Sequence, residues 1–474
     1  MLKKYKSLSI VAKASLWALF ANLIQRGMSI VATPIFTRIL TTEEYAQYTL
    51  YQSWHDIFII FASLNVFNYA TYSAMKEYEN DRNGFIATAQ TVVTGLTFIC
   101  FIVYFIIQLL FGNVLKFSMP IIILMFLDML FFSSFNLWAS KERYEFRYRL
   151  MTILSVIIGI MGPIIGIIAV HFSNNRGYGR IYGVAAINIL IGLFIYIYNF
   201  KQSKKCFNKE YFKFIFFYSL PLIPHFLSSQ VLTRFDRIMI DDMCGAAYAG
   251  IYSLAYSLSS LLMIVNDAIL KSLTPLTYQT IKSGNNLDFL KKNVNFFIII
   301  VAVANLLLIL FAPEAVKIFA PNEYYEAIYI IPSVSASIYF MFLFNVFANI
   351  EYYYSETKYV AFASMSAAVA NIVLNYIFIN LYGYIAAGYT TLISYILYAL
   401  GHYFFMKKVC KKHANGFEYY DIKNIFKISM VFVIISLMII PLYKFVVIRY
   451  VLISLILIIC VLKRKQILKL FKFK

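Results

Sequence analysis

Residues 85–111, FIATAQTVVTGLTFICFIVYFIIQLLF, contain no charged side chain. A helix needs about 20 predominantly apolar residues to cross the hydrocarbon of a bilayer, so this run spans with residues to spare. Comparable apolar stretches recur near 14–36, 45–67, 118–138, 150–172, 181–200, 211–234, 246–270, 293–313, 326–349, 359–380, 384–406, 424–443 and 445–462. The chain is 61% hydrophobic and 14% charged, whereas a soluble globular domain carries about 25% charged residues. A body of 474 residues with so little polar surface cannot be coated for water. The expectation is an all-α, polytopic integral membrane protein with about 14 transmembrane helices.

The ends of the chain fit that expectation. The start, MLKKYKSLSIVAKASLWALFANLIQ, is basic, but its apolar segment is too long for a signal peptide and lacks a small-residue cleavage site. It reads as a retained first helix. Cys100, Cys206, Cys244, Cys410 and Cys460 are scattered without pair spacing, which supports neither a disulfide framework nor a metal site.

A net charge of +20 raises nucleic acid as a partner, but the positions of the charges exclude it. With the N-terminus placed inside, thirty-two lysines and arginines fall on segments of that side and eight on the opposite one. Arg26 and Arg234 lie within spans and complete the 42. This positive-inside bias places both termini in the cytoplasm. It also makes KQSKKCFNKEYFK and KKVCKKHANGFEYYDIK inner loops against anionic lipid headgroups.

The chain repeats itself. YGRIYG begins at Tyr178 and YGYIAAG at Tyr382; Tyr48-Thr49-Leu50 matches Tyr252-Ser253-Leu254 at the same offset of 204 residues. The implied organisation is a six-helix bundle over 1–205, a second over 206–410, and two additional helices with a basic tail over 411–474. An even number of spans puts both halves in one orientation, related by an axis along the membrane normal. Transporters built this way bind substrate between the halves and rock one against the other.

Polar residues inside the spans fall on stripes. Asn22, Arg26, Ser29 and Thr33 share one face of the first span; Tyr48, Gln52, His55 with Asp56, and Ser63 follow the second. The seventh carries Pro221, Pro224, His225, Ser228, Ser229 and Arg234, and the eighth Tyr256, Ser260 and Asp267. These are corresponding helices of the two halves, which suggests one shared cavity. Interhelical hydrogen bonding, worth about 0.6–2 kcal/mol per pair, accounts equally well for the Ser, Thr and Asn positions.

Arg26 is different. A charge at the bilayer centre costs about 2.5–3.5 kcal/mol on insertion scales, and such residues usually line a functional pathway. It is expected to face water and meet a phosphate, the alternative being an ion pair with Asp56 or Asp267. Arg234 lies near the outer interface, where it can snorkel. Asp56, Asp128 and Asp267 are candidate sites for a coupling H+ or Na+; no other cofactor is expected. Pro221 and Pro224 free backbone carbonyls and invite a bend. Most tyrosine clusters, NEYYEAIYI among them, sit at span ends as interface anchors.

Several stretches resemble the Wzx-type polysaccharide or oligosaccharide flippases of the multidrug/oligosaccharidyl-lipid/polysaccharide exporter superfamily. TRILTTEEYAQYTL is similar to the family's loop after helix one. SLPLIPHFLSSQVLTRFDRIMI with AGIYSLAYSLSSLL resembles its helix seven, Asp-Arg turn and start of helix eight, and ANIVLNYIFINLYGYIAAGYTTLISY its helices eleven and twelve. The resemblance covers roughly 10–410 and implies a V-shaped pair of six-helix bundles around a cationic cavity. It also implies a bacterial inner-membrane role: turning undecaprenyl-pyrophosphate-linked sugar units outward for capsule or surface polysaccharide. Polysaccharide polymerase and glycosyltransferases would act in the same pathway. By helix position Arg26, and more loosely Arg234, match the family's pyrophosphate-binding arginines; Asp236 and Arg237 match the Asp-Arg turn.

Two rivals stand beside this reading. A cation-coupled drug antiporter of the same superfamily would favour an acidic cavity, for which Asp56, Asp128 and Asp267 are the available groups. A membrane polymerase or ligase would need a sizeable outer loop bearing catalytic groups. The longest outer segment, near 312–326, is short, and no phosphate loop, metal cluster or nucleophile–base set is present, so an enzyme is not expected.

Overall fold

The computed structural model describes residues 9–203, 205–285 and 287–464, and every regular element within them is helical. The chain divides into two compact units, Met1–Gln230 and Val231–Lys474.

The first unit holds α1 (Ile10–Ile39), α2 (Thr42–Ser63), α3 (Tyr69–Glu77), α4 (Arg82–Phe111), α5 (Met119–Tyr144), α6 (Tyr148–Phe172), α7 (Arg176–Lys201), α8 (Lys209–Ser219) and α9 (Ile223–Gln230). Local chemistry sets the starts. Thr41 and Glu44 form a capping box: the Thr41 hydroxyl accepts from the Glu44 amide at 3.2 Å, and the Thr41 amide donates to the Glu44 carboxylate at 2.9 Å. Asp81 caps α4 and Asn175 caps α7 in the same way. The helices α6 and α7 touch backbone to backbone, because a Cβ at Gly183 would collide with the main chain of Gly166. Small residues permit this approach where lipid offers no hydrophobic driving force.

The second unit holds α10 (Asp236–Met243), α11 (Ala246–Ser259), α12 (Leu262–Ser283), α13 (Leu287–Leu310), α14 (Ala312–Phe319), α15 (Ala327–Tyr353), α16 (Thr357–Tyr382), α17 (Ala386–His413), α18 (Ile422–Met438) and α19 (Val446–Leu462). Its core gathers Phe297, Tyr339, Phe342, Phe347 and Phe432 from α13, α15 and α18. The last helix is pinned by Arg449, which donates to the Leu310 carbonyl at 2.7 Å and grips the Glu314 carboxylate with both terminal nitrogens.

Among the described residues, ten helices are long and apolar enough to cross a membrane, and α1, α2, α17 and the shorter α19 cover the other expected stretches. Two expected spans are interrupted. The seventh breaks at a 3-10 turn over Leu220–Leu222 and a π segment over Val231–Phe235. Pro221 and Pro224 have no amide hydrogen to give an α-helix. The eighth splits at Ser260–Leu261, where the Ser257 and Ser260 hydroxyls bond carbonyls of their own turn and so compete with the helical ladder.

Candidate functional site

On α1, Asn22 and Ser29 are exposed and Arg26 is half-buried. Asn22 joins Gln25, Asn136, Arg143 and Ser155 around a cavity of about 430 Å³ between α1, α5 and α6, within the size range of ligand sites. Gln25 donates to the Ser155 carbonyl at 2.8 Å and Asn136 to the Phe132 carbonyl at 2.8 Å. The amides are thereby fixed in place. Arg143 supplies the cation; its Nη1 reaches the Tyr72 hydroxyl at 3.4 Å. A second cavity of about 740 Å³ includes Arg82, Lys141, Arg147 and Lys205 in its lining. There Arg82 is held 3.5 Å from both Glu79 and Glu145, and Arg147 is 3.3 Å from Glu145.

Three expected residues of the first unit form one cluster. Asp128 is buried; its carboxylate accepts from the Tyr51 hydroxyl at 3.1 Å and the Asn188 amide at 3.0 Å. His55 stands with Nε2 3.9 Å from Asp128 and Nδ1 3.3 Å from Asp56. Two carboxylates with an imidazole between them, drawn from α2 and α5, can hold a proton or a small cation. Gln52 lies half-buried on α2 and donates to the Tyr48 hydroxyl at 2.7 Å. His225 is half-buried on α9 beside Phe226, and Ser229 is exposed.

In the second unit Arg234 is half-buried within the π segment, a geometry frequent at functional sites. Tyr256 is buried, with Arg237 lying 4.3 Å over its ring. Ser260 sits in the break between α11 and α12, and Asp267 is exposed on α12. Asp236 is fully buried and accepts from Tyr252 at 2.7 Å, Asn375 at 2.7 Å and Thr391 at 2.8 Å. Thr390 in turn donates to the Asn375 amide oxygen, so the buried carboxylate is held by neutral hydrogen-bond donors. Among the described residues, no three His, Cys, Asp or Glu side chains come together as a metal cluster.

Other charged groups were hidden from the sequence. Arg180, placed by sequence in an outer loop, is buried in an aromatic cage of Phe36, Tyr45 and Tyr48 at 4.2, 4.8 and 3.9 Å. Glu351 and His402 form a fully buried pair at 2.9 Å. Arg143 fell in the basic segment SKERYEFRYR, with no apolar flank to mark it. An apolar groove of about 440 Å³ between α15, α17 and α18, lined by Phe340, Leu343, Phe347, Ile396 and Phe426 among others, suits a hydrocarbon chain.

Comparison with known proteins agrees with this architecture. Over 377 residues, 76% of this chain and 89% of the relative, the chain is 23% identical to protein 1 of the Lsg locus of Haemophilus influenzae. Its fold is similar to that of the lipid II flippase MurJ in an inward closed conformation, with a TM-score of 0.69 and 16% identity over 95% of this chain and 99% of that one. It is also similar to an inward-facing multidrug resistance MATE transporter of the MOP superfamily, at 0.60 and 15% identity over 82% and 96%. A MOP superfamily transporter from Pyrococcus furiosus scores 0.55 at 14% identity over 83% and 95%. These solved structures are named as a flippase and transporters, none as an enzyme. The model of the polysaccharide biosynthesis protein family matches residues 11–281, more than half of the chain, and the chain therefore belongs to that family.

Proposed function

We propose that this protein carries undecaprenyl-pyrophosphate-linked oligosaccharide units from the cytoplasmic to the outer face of the bacterial plasma membrane by alternating access, for capsule or surface-polysaccharide assembly. The reading places both termini in the cytoplasm and the protein beside the glycosyltransferases and polymerase of the same pathway. The observation that carries it is the polar face of α1, where Arg26 stands half-buried between Asn22 and Ser29 in a helix of an apolar protein.

A sugar-pyrophosphate head cannot enter hydrocarbon unaided, because each buried charge without a partner is strongly disfavoured. Arg26 offers charge-assisted hydrogen bonds to phosphate, and Arg234 a second contact. Asn22, Ser29, Gln52, His55, His225, Ser229, Tyr256 and Ser260 would replace water around the sugars. The prenyl chain stays in lipid, and the groove of α15, α17 and α18 can hold part of it. Coupling to H+ or Na+ falls to Asp56 and Asp128, with Asp267 as the group of the second unit.

Arg26→Ala is expected to abolish surface polysaccharide while protein level stays normal, with the lipid-linked unit accumulating on the inner leaflet. Export at the wild-type rate would refute the assignment. A second reading, cation-coupled drug efflux, is favoured by the Asp56–His55–Asp128 cluster. Efflux of a cationic dye that is lost in Asp128→Asn, with polysaccharide unaffected, would establish it instead.

A further inference from the structure

We infer that Glu351 and His402 form a proton-binding site that locks α15 to α17, so that loss of the proton lets these helices part. Both side chains are fully buried, and His402 Nδ1 lies 2.9 Å from Glu351 Oε1. That distance requires a proton between nitrogen and oxygen. The remaining atoms of the pair, His402 Nε2 and Glu351 Oε2, are buried with no hydrogen-bond partner among the described residues. Aromatic rings seal the site: Phe344 stacks on His402 at 5.5 Å and Tyr398 lies at 4.8 Å.

Charge balance makes the site a switch. With two protons the pair is neutral overall, as imidazolium and carboxylate or as imidazole and carboxylic acid. With one proton it carries a net negative charge, and no Lys or Arg among the described residues lies within ion-pair distance of Glu351. An uncompensated buried charge is strongly disfavoured, so the singly protonated pair is disfavoured while the seam is closed. A purely structural tie would have satisfied its outer atoms; this one leaves an acceptor and a ring nitrogen for the proton that comes and goes.

The surroundings leave the titration to this pair. Tyr352 lies on α15 and Tyr398 on α17, and α16 contributes the neutral Ser364 hydroxyl to Tyr398. Asp267 and Lys271 on α12 and Lys427 on α18 are exposed. Lys291 on α13 lies over the Phe417 ring, and Glu314 on α14 is held by Arg449. Beyond the pair, Glu356 in the turn after α15 binds Lys412 and His413 at the end of α17.

The test is hydrogen–deuterium exchange of the full-length protein in lipid nanodiscs across a pH series, read on peptides covering 345–353 and 398–406. After correction for chemical exchange, wild-type protection should fall about tenfold per pH unit above a midpoint, the slope for one proton released on opening. Glu351→Gln, which mimics the protonated acid, should stay protected and flat, and Glu356→Gln should keep the slope. If Glu351→Gln does not accumulate, His402→Gln should shift the midpoint, since the carboxyl then titrates alone. A flat wild type, a slope that survives Glu351→Gln, faster exchange of that variant at acid pH, a slope lost in Glu356→Gln, or an unmoved midpoint in His402→Gln would each overturn the inference. The readout needs no transported substrate, so it stands or falls apart from the flippase reading.

Discussion

The helix pairs α6–α7 and α16–α17 correspond at the sequence offset of 204 residues, yet they close in opposite ways. In the first unit the seam is glycine: Gly183 meets the backbone of Gly166. At the offset of 204 residues the second unit has Ala370 and Ala387, and its seam is polar: Asn371, Asn375, Thr390 and Thr391 stand where the first has Ile167, His171, Ala186 and Ile187. Those four side chains converge on the buried Asp236. Matching tyrosines follow suit. Tyr48 lends its ring to Arg180, whereas Tyr252 donates its hydroxyl to Asp236. One fold element can be closed by backbone contact or by a hydrogen-bonded charge. The first solution is sensitive to volume, the second to polarity.

The largest effect should come from breaking the polar seam. Asp236→Ala strands three buried donors and leaves Arg237 without its carboxylate neighbour, a loss of about 3–5 kcal/mol. Equilibrium unfolding in mixed micelles should show it, with the second unit melting first. A cost below about 1 kcal/mol would mean that water or an ion replaces the carboxylate. Next comes the glycine seam. Gly183→Val drives a branched side chain into the main chain of Gly166 and should cost about 1–3 kcal/mol. Ala387→Val at the matching place should cost less, because the polar seam has no such backbone contact to lose. Equal costs would erase the contrast.

The helical architecture is legible in sequence because span length is a one-dimensional property. The offset shared by Tyr48 and Tyr252 and by Tyr178 and Tyr382 likewise needs no coordinates. The polar residues of α1 and α2 follow helical period and could be listed individually. Their partners could not. Asp128 meets Tyr51 across 77 residues, and Glu351 meets His402 across 51; nothing local encodes either pairing. Arg180 reads as an outer-loop cation because its neighbours are Gly and Tyr, while burial comes from Phe36 on another helix. The break at Ser260 was hidden because serine hydroxyls fit both a polar stripe and an interrupted ladder.

A smaller effect sharpens the contrast between the two arginines that sit near the tyrosine positions. Arg180→Met removes cation–π contacts with three rings, each worth about 0.5–2 kcal/mol. It also removes a buried guanidinium whose Nη1 has no hydrogen-bond partner among the described residues, and replacing a buried ion by an apolar side chain is often neutral or stabilising. The two should nearly cancel, leaving a change within about 1 kcal/mol by the same unfolding measurement. A loss above about 3 kcal/mol would show that Arg180 holds the first unit as Asp236 holds the second.

The smallest effect belongs to the far end of the second unit, where charge lies outside the spans. The His413 ring at 3.0 Å, then Lys412 and Lys358, pull the Glu356 carboxyl down to about 2. A folded pKa below the unfolded value of about 4.3 stabilises the fold at all pH above that unfolded value. This contribution fades as pH falls from about 4.3 through about 2, because the unfolded chain then binds the proton first. Glu356→Gln should therefore lower the unfolding midpoint slightly at neutral pH and flatten its acid limb by the same small amount, because the lysines that Glu356 meets are solvent-exposed. An acid limb unchanged by Glu356→Gln would overturn that assignment.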